Sequence, residues 1–267
     1  MSKFFELANL EGRTALITGA TGKLGSTFAL TLANLGANVI LVDLPESNFD
    51  ELESSILESS TVKVSKYRCN LESEIDRKVM IAALKESHNV IDVLVNNAAF
   101  VGTADLPGWT VAFEEQNLQT WRRAFEVNLT AVFDLCQKFS PELRKSKNGS
   151  IINIASIYGL FGPDWDLYEG TNLGNPAAYA VSKGGLVQLT RWLAATIGPD
   201  VRVNAIAPGG LLRDQSPEFI NRYSKKNILG RMGSEEDLVG AIAYFASDLS
   251  KYVTGQILSI DGGWGVK

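Results

Sequence analysis

Residues 14–26 read Thr14-Ala-Leu-Ile-Thr-Gly-Ala-Thr-Gly-Lys-Leu-Gly-Ser26. The first five residues are apolar or β-branched, as in a buried parallel strand, and the segment that follows has helical periodicity. Between the two, glycines at positions 19, 22 and 25 let the backbone turn tightly and approach a pyrophosphate at the helix N-terminus. A glycine triplet alone is weak evidence, but a preceding strand and a following helix are the context that a dinucleotide site requires.

The same alternation of apolar runs and helical patterns continues along the chain. The predicted strands are 14–18, 38–42, 62–67, 91–95, 150–154, 201–206 and 256–260, and helical segments include 25–35, 72–86, 118–146, 177–197 and 234–246. This order predicts an α/β fold, a doubly wound seven-stranded parallel sheet (Rossmann fold) in three α/β/α layers. Because no linker, repeat or low-complexity tract interrupts it, we expect residues 1–267 to form a single domain.

Composition argues against several classes of function. The formal net charge of −5 and pI of about 5.1 do not suggest nucleic-acid or membrane-surface binding. Cys69 and Cys136 form no Cys-x-x-Cys motif, and His88 lies in a polar stretch typical of a solvated helix end, so no metal site is expected. No window is apolar enough for a membrane span and the N-terminus does not resemble a signal peptide, so we expect a cytoplasmic protein.

Asp43 ends the second predicted strand, 18 residues after Gly25. A carboxylate in this position accepts hydrogen bonds from the adenosine ribose hydroxyls and repels a 2′-phosphate. The next residues, Leu44-Pro45, include no arginine, so the sequence predicts NAD(H) as cofactor. Two alternatives remain: Asp43 as a simple turn residue before Pro45, and Lys23 in the glycine turn as a partner for a phosphate.

Tyr179 and Lys183 lie four residues apart in Asn175-Pro-Ala-Ala-Tyr-Ala-Val-Ser-Lys-Gly-Gly. This spacing places both side chains on one face of a helix. A phenol has an ordinary pKa of about 10, and a neighbouring ammonium group favours the phenolate. The pair therefore predicts a proton-transfer device, although the same spacing is common on ordinary solvated helices.

With these residues in view, the chain resembles the short-chain dehydrogenases/reductases, in their single-domain branch, over nearly its whole length. The motifs occur in family order: the glycine turn at 18–25, Asn96-Asn-Ala-Ala99, Asn128 in Glu-Val-Asn-Leu-Thr, Ser156 in Asn-Ile-Ala-Ser-Ile-Tyr-Gly, Tyr179/Lys183, Asn204-Ala-Ile-Ala-Pro-Gly209, Tyr252-Val-Thr-Gly255 and Asp261-Gly-Gly-Trp264.

The resemblance implies a catalytic role for four residues. Tyr179 would exchange a proton with the carbonyl or alcohol oxygen of the substrate, and Ser156 would hold and polarise that oxygen. Lys183 would lower the tyrosine pKa and bind the nicotinamide ribose, and Asn128 would position a water for proton relay.

It also implies a set of cofactor-binding residues. Asn96 and the small residues after it would line the cofactor channel, Asn70 would contact adenine in place of the usual aspartate, and Pro208 and Gly209 would shape the nicotinamide pocket. The full implied set is Gly19, Thr21, Gly22, Lys23, Leu24, Gly25, Asp43, Asn70, Leu71, Asn97, Ala98, Tyr179, Lys183, Pro208 and Gly209.

The chain departs from the family pattern in three places. Its Gly-x-x-Gly-x-x-Gly spacing puts Lys23 where the single-domain branch usually has glycine, and looks like the branch that acts on nucleotide sugars. The usual threonine after Pro208-Gly209 is missing from Gly210-Leu-Leu-Arg-Asp-Gln. Ser156 precedes Tyr179 by 23 residues, which marks an active-site insertion at about 160–175.

The insertion carries Phe161, Trp165 and Tyr168 beside Asp164, Asp166 and Glu169. Aromatic faces can cover C–H faces and carboxylates can accept hydroxyl hydrogen bonds, whereas unpaired charges beside an acyl chain would be costly. This favours a sugar or polyol, either neutral or amino, and the insertion looks similar to members linked to bacterial surface-sugar modification. The alternative is that the insertion packs against a neighbouring subunit.

The sequence therefore predicts an NAD-dependent oxidoreductase that transfers a hydride between nicotinamide and a secondary alcohol or ketone of a small molecule. The alternatives are a 3-oxoacyl-thioester (acyl carrier protein) reductase and, in another class, a non-catalytic NAD(H)-binding protein. The apolar character of 118–146, 177–197 and 257–266 and the family pattern favour a homotetramer, with a dimer as alternative.

Overall fold

A computed structural model describes residues 2–103, 105–171 and 173–266 of the chain. Seven strands, all parallel, form one sheet in the order β3-β2-β1-β4-β5-β6-β7. They are β1 Thr14–Thr18, β2 Asn38–Asp43, β3 Val64–Arg68, β4 Val93–Asn96, β5 Gly149–Ile154, β6 Val201–Pro208 and β7 Ile257–Ile260. The predicted seven-stranded parallel sheet is thus confirmed.

Helices cover both faces of this sheet. They are α1 Lys3–Ala8, α2 Lys23–Asn34, α3 Asp50–Ser59, α4 Glu74–Ser87, α5 Leu118–Phe125, α6 Ala131–Lys145, α7 Ala177–Ile197, α8 Pro217–Lys226 and α9 Val239–Ala246. One core unites α2, α3 and α9, and a second unites α4, α6 and α7. Neighbouring residues of β1 alternate between the two cores, since Ala15 and Ile17 belong to the first and Leu16 to the second.

The predicted helix at 118–146 is interrupted in the structure. A π-helical turn, Glu126–Thr130, separates α5 from α6 and carries the fully buried Asn128. Wider turns of this kind often occur at functional sites, and apolar periodicity does not reveal them. The short helices α1, α3 and α8 were not among the predicted segments.

The chain order reverses at β1. The connection after β3 crosses to the other side of β1 and continues as β4, so β1 has β2 on one side and β4 on the other. Loops leaving the carboxyl ends of these strands in opposite directions open a crevice, which is where open α/β sheets bind ligands. The predicted site residues follow these strand ends.

Candidate active site

The glycine turn after β1 is shaped by two close approaches. Gly19 has a φ of +63°, and a Cβ there would lie 2.9 Å from the Ala98 Cα atom. A Cβ on Gly25 would lie 2.0 Å from the Gly19 carbonyl oxygen. Helix α2 begins directly after the turn with Gly22 as its N-cap and no capping side chain, so its first N–H groups are available to an anion. This cradle fits the pyrophosphate of a dinucleotide.

Asp43 lies at the end of β2, beside the glycine turn. Its Oδ2 atom accepts hydrogen bonds of 2.8 Å from both the main-chain N–H and the hydroxyl of Thr21. Its Oδ1 atom accepts from the Leu44 N–H at 2.8 Å and from the Ser47 hydroxyl at 3.2 Å. The protein therefore fixes the position of the carboxylate and joins it to the turn.

Arg68, at the end of β3, was not singled out in the sequence. Its guanidinium donates to the Pro45 carbonyl and, at 2.8 Å, to the Ser47 carbonyl, and it stacks over the Phe49 ring at 5.3 Å. These contacts direct it to the loop after Asp43. Arg68 pairs with Asp43 in the register of the two neighbouring strands, and this pairing is the feature that could have identified it.

The two adjacent asparagines at the end of β4 have different hydrogen-bond partners. Asn97 donates through Nδ2 to the Thr18 and Gly19 carbonyls, at 2.9 and 3.0 Å, and so ties β4 to the glycine turn. Asn96 is buried and donates to Asn153 Oδ1 at 2.8 Å. The expectation that Asn96 lines the cofactor channel is therefore wrong, because successive residues of a strand face opposite ways. Asn97 and Ala98 line it instead.

Two neighbouring cavities bring the predicted cofactor residues together. A cleft of about 580 Å³ runs from the glycine turn past Asp43 to the far end of the site; it is lined by Gly19, Thr21, Gly22, Lys23, Leu24, Gly25, Asn97, Ala98, Ser156, Tyr179, Lys183, Pro208 and Gly209. A second cavity of about 490 Å³ shares Gly19, Asp43 and Ala98 with it and adds Asn70 and Leu71. Asn70 Oδ1 accepts from the Glu72 N–H at 3.0 Å, which leaves its Nδ2 group to serve a ligand.

Tyr179 lies in the first turn of α7 and faces Ser156, which follows β5. Burial raises the pKa of the Tyr179 phenol, and a hydrogen bond with Ser156 opposes that shift. The direction is opposite to the one expected from the sequence, because removing the phenolate from water outweighs its neighbours. Tyr179 is therefore protonated at neutral pH and suited to donate a proton.

Lys183 is also buried, with 2% of its surface exposed. Its Nζ atom donates to the Ile154 carbonyl at 2.7 Å and lies 5.9 Å from the centre of the Tyr179 ring. Burial lowers the pKa of Lys183 to about 8. The ammonium form still predominates at pH 7, and its protonation changes near the physiological range.

Asn128 connects the loop after β4 to α7. Its Oδ1 atom accepts from the Phe100 N–H at 2.6 Å, and its Nδ2 group donates to the Phe100 carbonyl at 3.2 Å and to Ser182 at 3.1 Å. The Ser182 hydroxyl donates in turn to the Tyr179 carbonyl at 2.9 Å. The side chain thus holds the helix that carries Tyr179, and its role in a water relay stays a prediction.

The insertion packs against α8. Asp164 forms an ion pair with Lys226, Asp166 lies 3.6 Å from the same ammonium group and has 88% of its side chain exposed, and Arg222 donates to the Glu169 carbonyl. The expectation that these carboxylates face substrate hydroxyls is wrong, because α8 or solvent satisfies them. This contact joins positions about sixty residues apart and cannot be seen in local spacing.

A smaller cavity of about 220 Å³ opens beside Tyr179, on the side away from the glycine turn. Tyr158, Trp109 and Asn175 contribute to its wall. The Tyr158 and Tyr168 hydroxyls bond to each other, and burial, with Tyr168 as the next largest influence, raises the pKa of Tyr158. Sequence reasoning gave Tyr158 and Asn175 no role, although both lie within the motifs it quoted.

Two features are absent from the described residues, 2–103, 105–171 and 173–266. Within them no group of three or more His, Cys, Asp or Glu side chains is placed to hold a metal ion. None of their helices combines the length and apolar character needed to cross a membrane.

Comparison with known proteins places the whole chain among oxidoreductases. The family described as "Enoyl-(Acyl carrier protein) reductase" matches residues 19–265. The 3-oxoacyl-[acyl-carrier-protein] reductase FabG of Thermotoga maritima is 36% identical over 95% of this chain and 98% of its own length. The post-translational flagellin modification protein A of Campylobacter coli is 29% identical over 96% of this chain and 100% of its own length.

Solved structures agree with the fold and differ in cofactor. A short chain dehydrogenase from Leptospira borgpetersenii with bound NAD⁺ is 30% identical, with a TM-score of 0.83 over 99% of this chain and 96% of that one. A putative NAD(P) dependent gluconate 5-dehydrogenase from Beutenbergia cavernae with bound NADP is also 30% identical, with a TM-score of 0.86 over 98% and 100%.

Proposed function

This chain belongs to the short-chain dehydrogenase/reductase family, and we propose that it is an NAD(H)-dependent enzyme that interconverts a ketone and a secondary alcohol on a small hydroxylated substrate. The observation that carries the proposal is the placement of Ser156, Tyr179 and Lys183 at one end of the cleft that begins at the glycine turn. A non-catalytic NAD(H)-binding protein would need the turn but not a buried phenol and ammonium pair.

Each part of the cofactor would have a place along this cleft and the neighbouring cavity of about 490 Å³. The N–H groups at the start of α2 would hold the pyrophosphate, and Asp43 would accept from the adenosine ribose. Asn70 and Leu71 would contact the adenine, and Pro208 and Gly209 would border the nicotinamide. When bound, the nicotinamide supplies or accepts the hydride.

The chain's own residues would supply the proton. In the direction of reduction, Tyr179 donates its phenolic proton to the substrate carbonyl oxygen as negative charge develops there, and the Ser156 hydroxyl hydrogen-bonds the same oxygen. The raised pKa of Tyr179 favours this direction at neutral pH. Lys183, still mainly ammonium at that pH, stabilises the phenolate that remains until it is reprotonated.

Support for NAD(H) over NADP(H) comes from Asp43. A 2′-phosphate would bring a second negative charge beside a carboxylate that four hydrogen bonds keep in place. Arg68, the basic residue at the neighbouring strand end, is engaged with the carbonyls of Pro45 and Ser47. Lys23 is exposed at the glycine turn and is the cation through which NADP(H) would find support.

The carboxylates of the insertion do not support a small hydroxylated substrate, because α8 or solvent satisfies them. Support comes from the cavity of about 220 Å³ beside Tyr179, which has polar side chains in its wall. A sugar phosphate is less well served, since Arg213 is already paired with Glu235 at 2.5 Å. The second candidate, a 3-oxoacyl-thioester reductase, is favoured by the 36% identity to FabG of Thermotoga maritima.

A Tyr179→Phe variant tests the chemistry. General acid catalysis contributes about 10²–10⁴-fold to a rate, so kcat for ketone reduction should fall by at least that range while the Kd for NADH stays within about twofold. Tyr252→Phe is the matched control, because Tyr252 is fully exposed. Substrates should span sugars, polyols, nucleotide sugars and 3-oxoacyl thioesters. Near-parental turnover of Tyr179→Phe would contradict the mechanism, and turnover of acyl thioesters alone would decide for the second candidate.

A further inference from the structure

Asn175 is a buried amide that has no hydrogen-bond partner among the described residues. Only 6% of the residue is exposed, and neither Nδ2 nor Oδ1 has a partner within the described part of the chain. The buried asparagines Asn128, Asn153 and Asn204 use both ends of their amides. Because leaving a buried polar group unsatisfied costs free energy, an unpaired amide calls for an explanation outside the fold.

Helix capping does not supply that explanation. Asn175 lies two residues before the first residue of α7, and the N-cap position itself is occupied by Pro176. Here the N–H of Ala177 is satisfied by Gln116, whose Oε1 atom accepts it at 3.0 Å. The Asn175 side chain makes no hydrogen bond to the described residues, so the helix end does not require it.

Asn175 lines a cavity of about 590 Å³ together with Trp165 and Tyr168. It also lines the cavity of about 220 Å³, which it shares with Tyr179, four residues later in sequence. Two other polar groups in the wall are already engaged: the Tyr158 hydroxyl bonds to Tyr168, and the Trp109 Nε1–H donates to the Val101 carbonyl at 2.7 Å. The Asn175 amide is therefore an unpartnered donor and acceptor, among the described residues, on a residue that lines the same cavity as the phenol that reacts.

We propose that Asn175 is a specificity-determining residue that hydrogen-bonds a hydroxyl group on the carbon next to the reacting carbonyl. This rests on the proposed function and narrows its substrate to α-hydroxy ketones and the corresponding vicinal diols. A hydroxyl group both donates and accepts, which matches an amide that offers both. The methylene group of a 3-oxoacyl chain at the same place would leave the amide unsatisfied.

The turnover experiment compares ketones that differ by one hydroxyl group. We would measure kcat/KM with NADH for cyclohexanone, 2-hydroxycyclohexanone and 4-hydroxycyclohexanone. The parent protein should prefer the 2-hydroxy ketone over cyclohexanone by at least about tenfold, the effect of one buried neutral hydrogen bond. Asn175→Leu should abolish this preference through KM, whereas Asn175→Thr, which keeps a hydroxyl, should retain part of it.

Asn89→Leu is the matched control, since Asn89 is exposed and precedes the amino end of β4, away from the carboxyl ends of the strands where the cleft lies. An equal preference in the parent, Asn89→Leu and Asn175→Leu proteins would overturn the proposal. So would a preference for the 4-hydroxy ketone that survives in Asn175→Leu.

A binding experiment separates this proposal from the proposed function. With NADH present, trans-1,2-cyclohexanediol should raise the melting temperature of the parent more than cyclohexanol does, and Asn175→Leu should remove that difference. If the parent reduces none of the ketones, the proposed function fails, and the diol result still decides the role of Asn175. A diol shift of equal size in both proteins would refute it.

Discussion

Replacing Asp43 with asparagine should convert an NAD(H)-selective cleft into a nearly unselective one. Asparagine keeps the size of the side chain and one acceptor oxygen, so either the pair of Thr21 bonds or the bonds from Leu44 and Ser47 can persist. The negative charge is lost. Asp43→Ala would also free the Thr21 N–H and disturb the turn, so it tests charge and structure together.

The magnitude follows from two contributions. Two unit charges about 5 Å apart interact by about 3 kcal/mol at an effective dielectric constant of about 20, and salt reduces this for a half-exposed group such as Asp43 to about 1–1.5 kcal/mol. Removing the charge should thus tighten NADPH by about tenfold. The hydroxyls of the adenosine ribose lose a charged hydrogen-bond acceptor worth a similar free energy, so NADH binding should weaken by about tenfold. The selectivity ratio should shift by about a hundredfold.

Fluorescence titration of NADH and NADPH into parent and variant gives both dissociation constants directly. Asp166→Asn is the matched control, because it removes one negative charge from a side chain that is 88% exposed on the insertion. Repeating the titrations at high salt should shrink the parent's selectivity and leave the variant's unchanged. Tighter binding of NADPH than NADH by the parent, or an equal shift in Asp166→Asn, would refute the assignment of Asp43.

Three further outcomes are expected. Ketone reduction should be fastest below pH 8 and decline above it, because Lys183, with its pKa lowered to about 8, loses its charge. Alcohol oxidation should become faster over the same range, since Tyr179, with its raised pKa, must lose its proton. Initial rates from pH 6 to 10 measure both. Gly25→Ala should weaken NADH binding more than tenfold and lower the melting temperature, because its Cβ would lie 2.0 Å from the Gly19 carbonyl oxygen, whereas Gly240→Ala, with nothing within 4 Å, should do neither. Light scattering at micromolar concentration should give a tetramer, because Val181, Trp192 and Leu258 leave apolar surface exposed; a monomer would contradict this.

Local backbone requirements made the cofactor side of the molecule predictable. Strand β1 and helix α7 have the bounds that the sequence predicted, Thr14–Thr18 and Ala177–Ile197. The glycine turn could be identified because close contact and positive φ leave no room for another residue. Parallel strands bring their carboxyl ends to one edge, which is why residues as distant as Gly19, Asn97 and Ser156 line one cleft.

The features that the sequence did not predict correctly depend on contacts between side chains that are distant in sequence. The π-helical turn at Asn128 has the same apolar pattern as a regular helix, so only its bonds to Phe100 and Ser182 reveal why it is there. The change in the Tyr179 pKa depends on burial, which spacing to Lys183 does not measure. The partner of Asp164 is Lys226, and nothing near either residue in sequence indicates the other.

Cofactor selectivity and substrate specificity should depend on different parts of the chain. The cofactor half of the cleft is formed largely by the glycine turn and the strand ends. The cavity beside Tyr179 is lined by residues 101–103, 109 and 110, by Tyr158 and by residues 173–176 at the end of the insertion, and the insertion packs against α8. The two segments are joined by the Lys226–Asp164 ion pair and the bond from Arg222 to the Glu169 carbonyl, and Tyr168 packs on Phe219 of α8 at 5.7 Å. Because Tyr168 also bonds Tyr158, which lines the cavity of about 220 Å³ beside Tyr179, side-chain contacts connect α8 to that cavity. Substrate specificity should therefore follow the insertion and α8 as a unit, while cofactor selectivity follows Asp43.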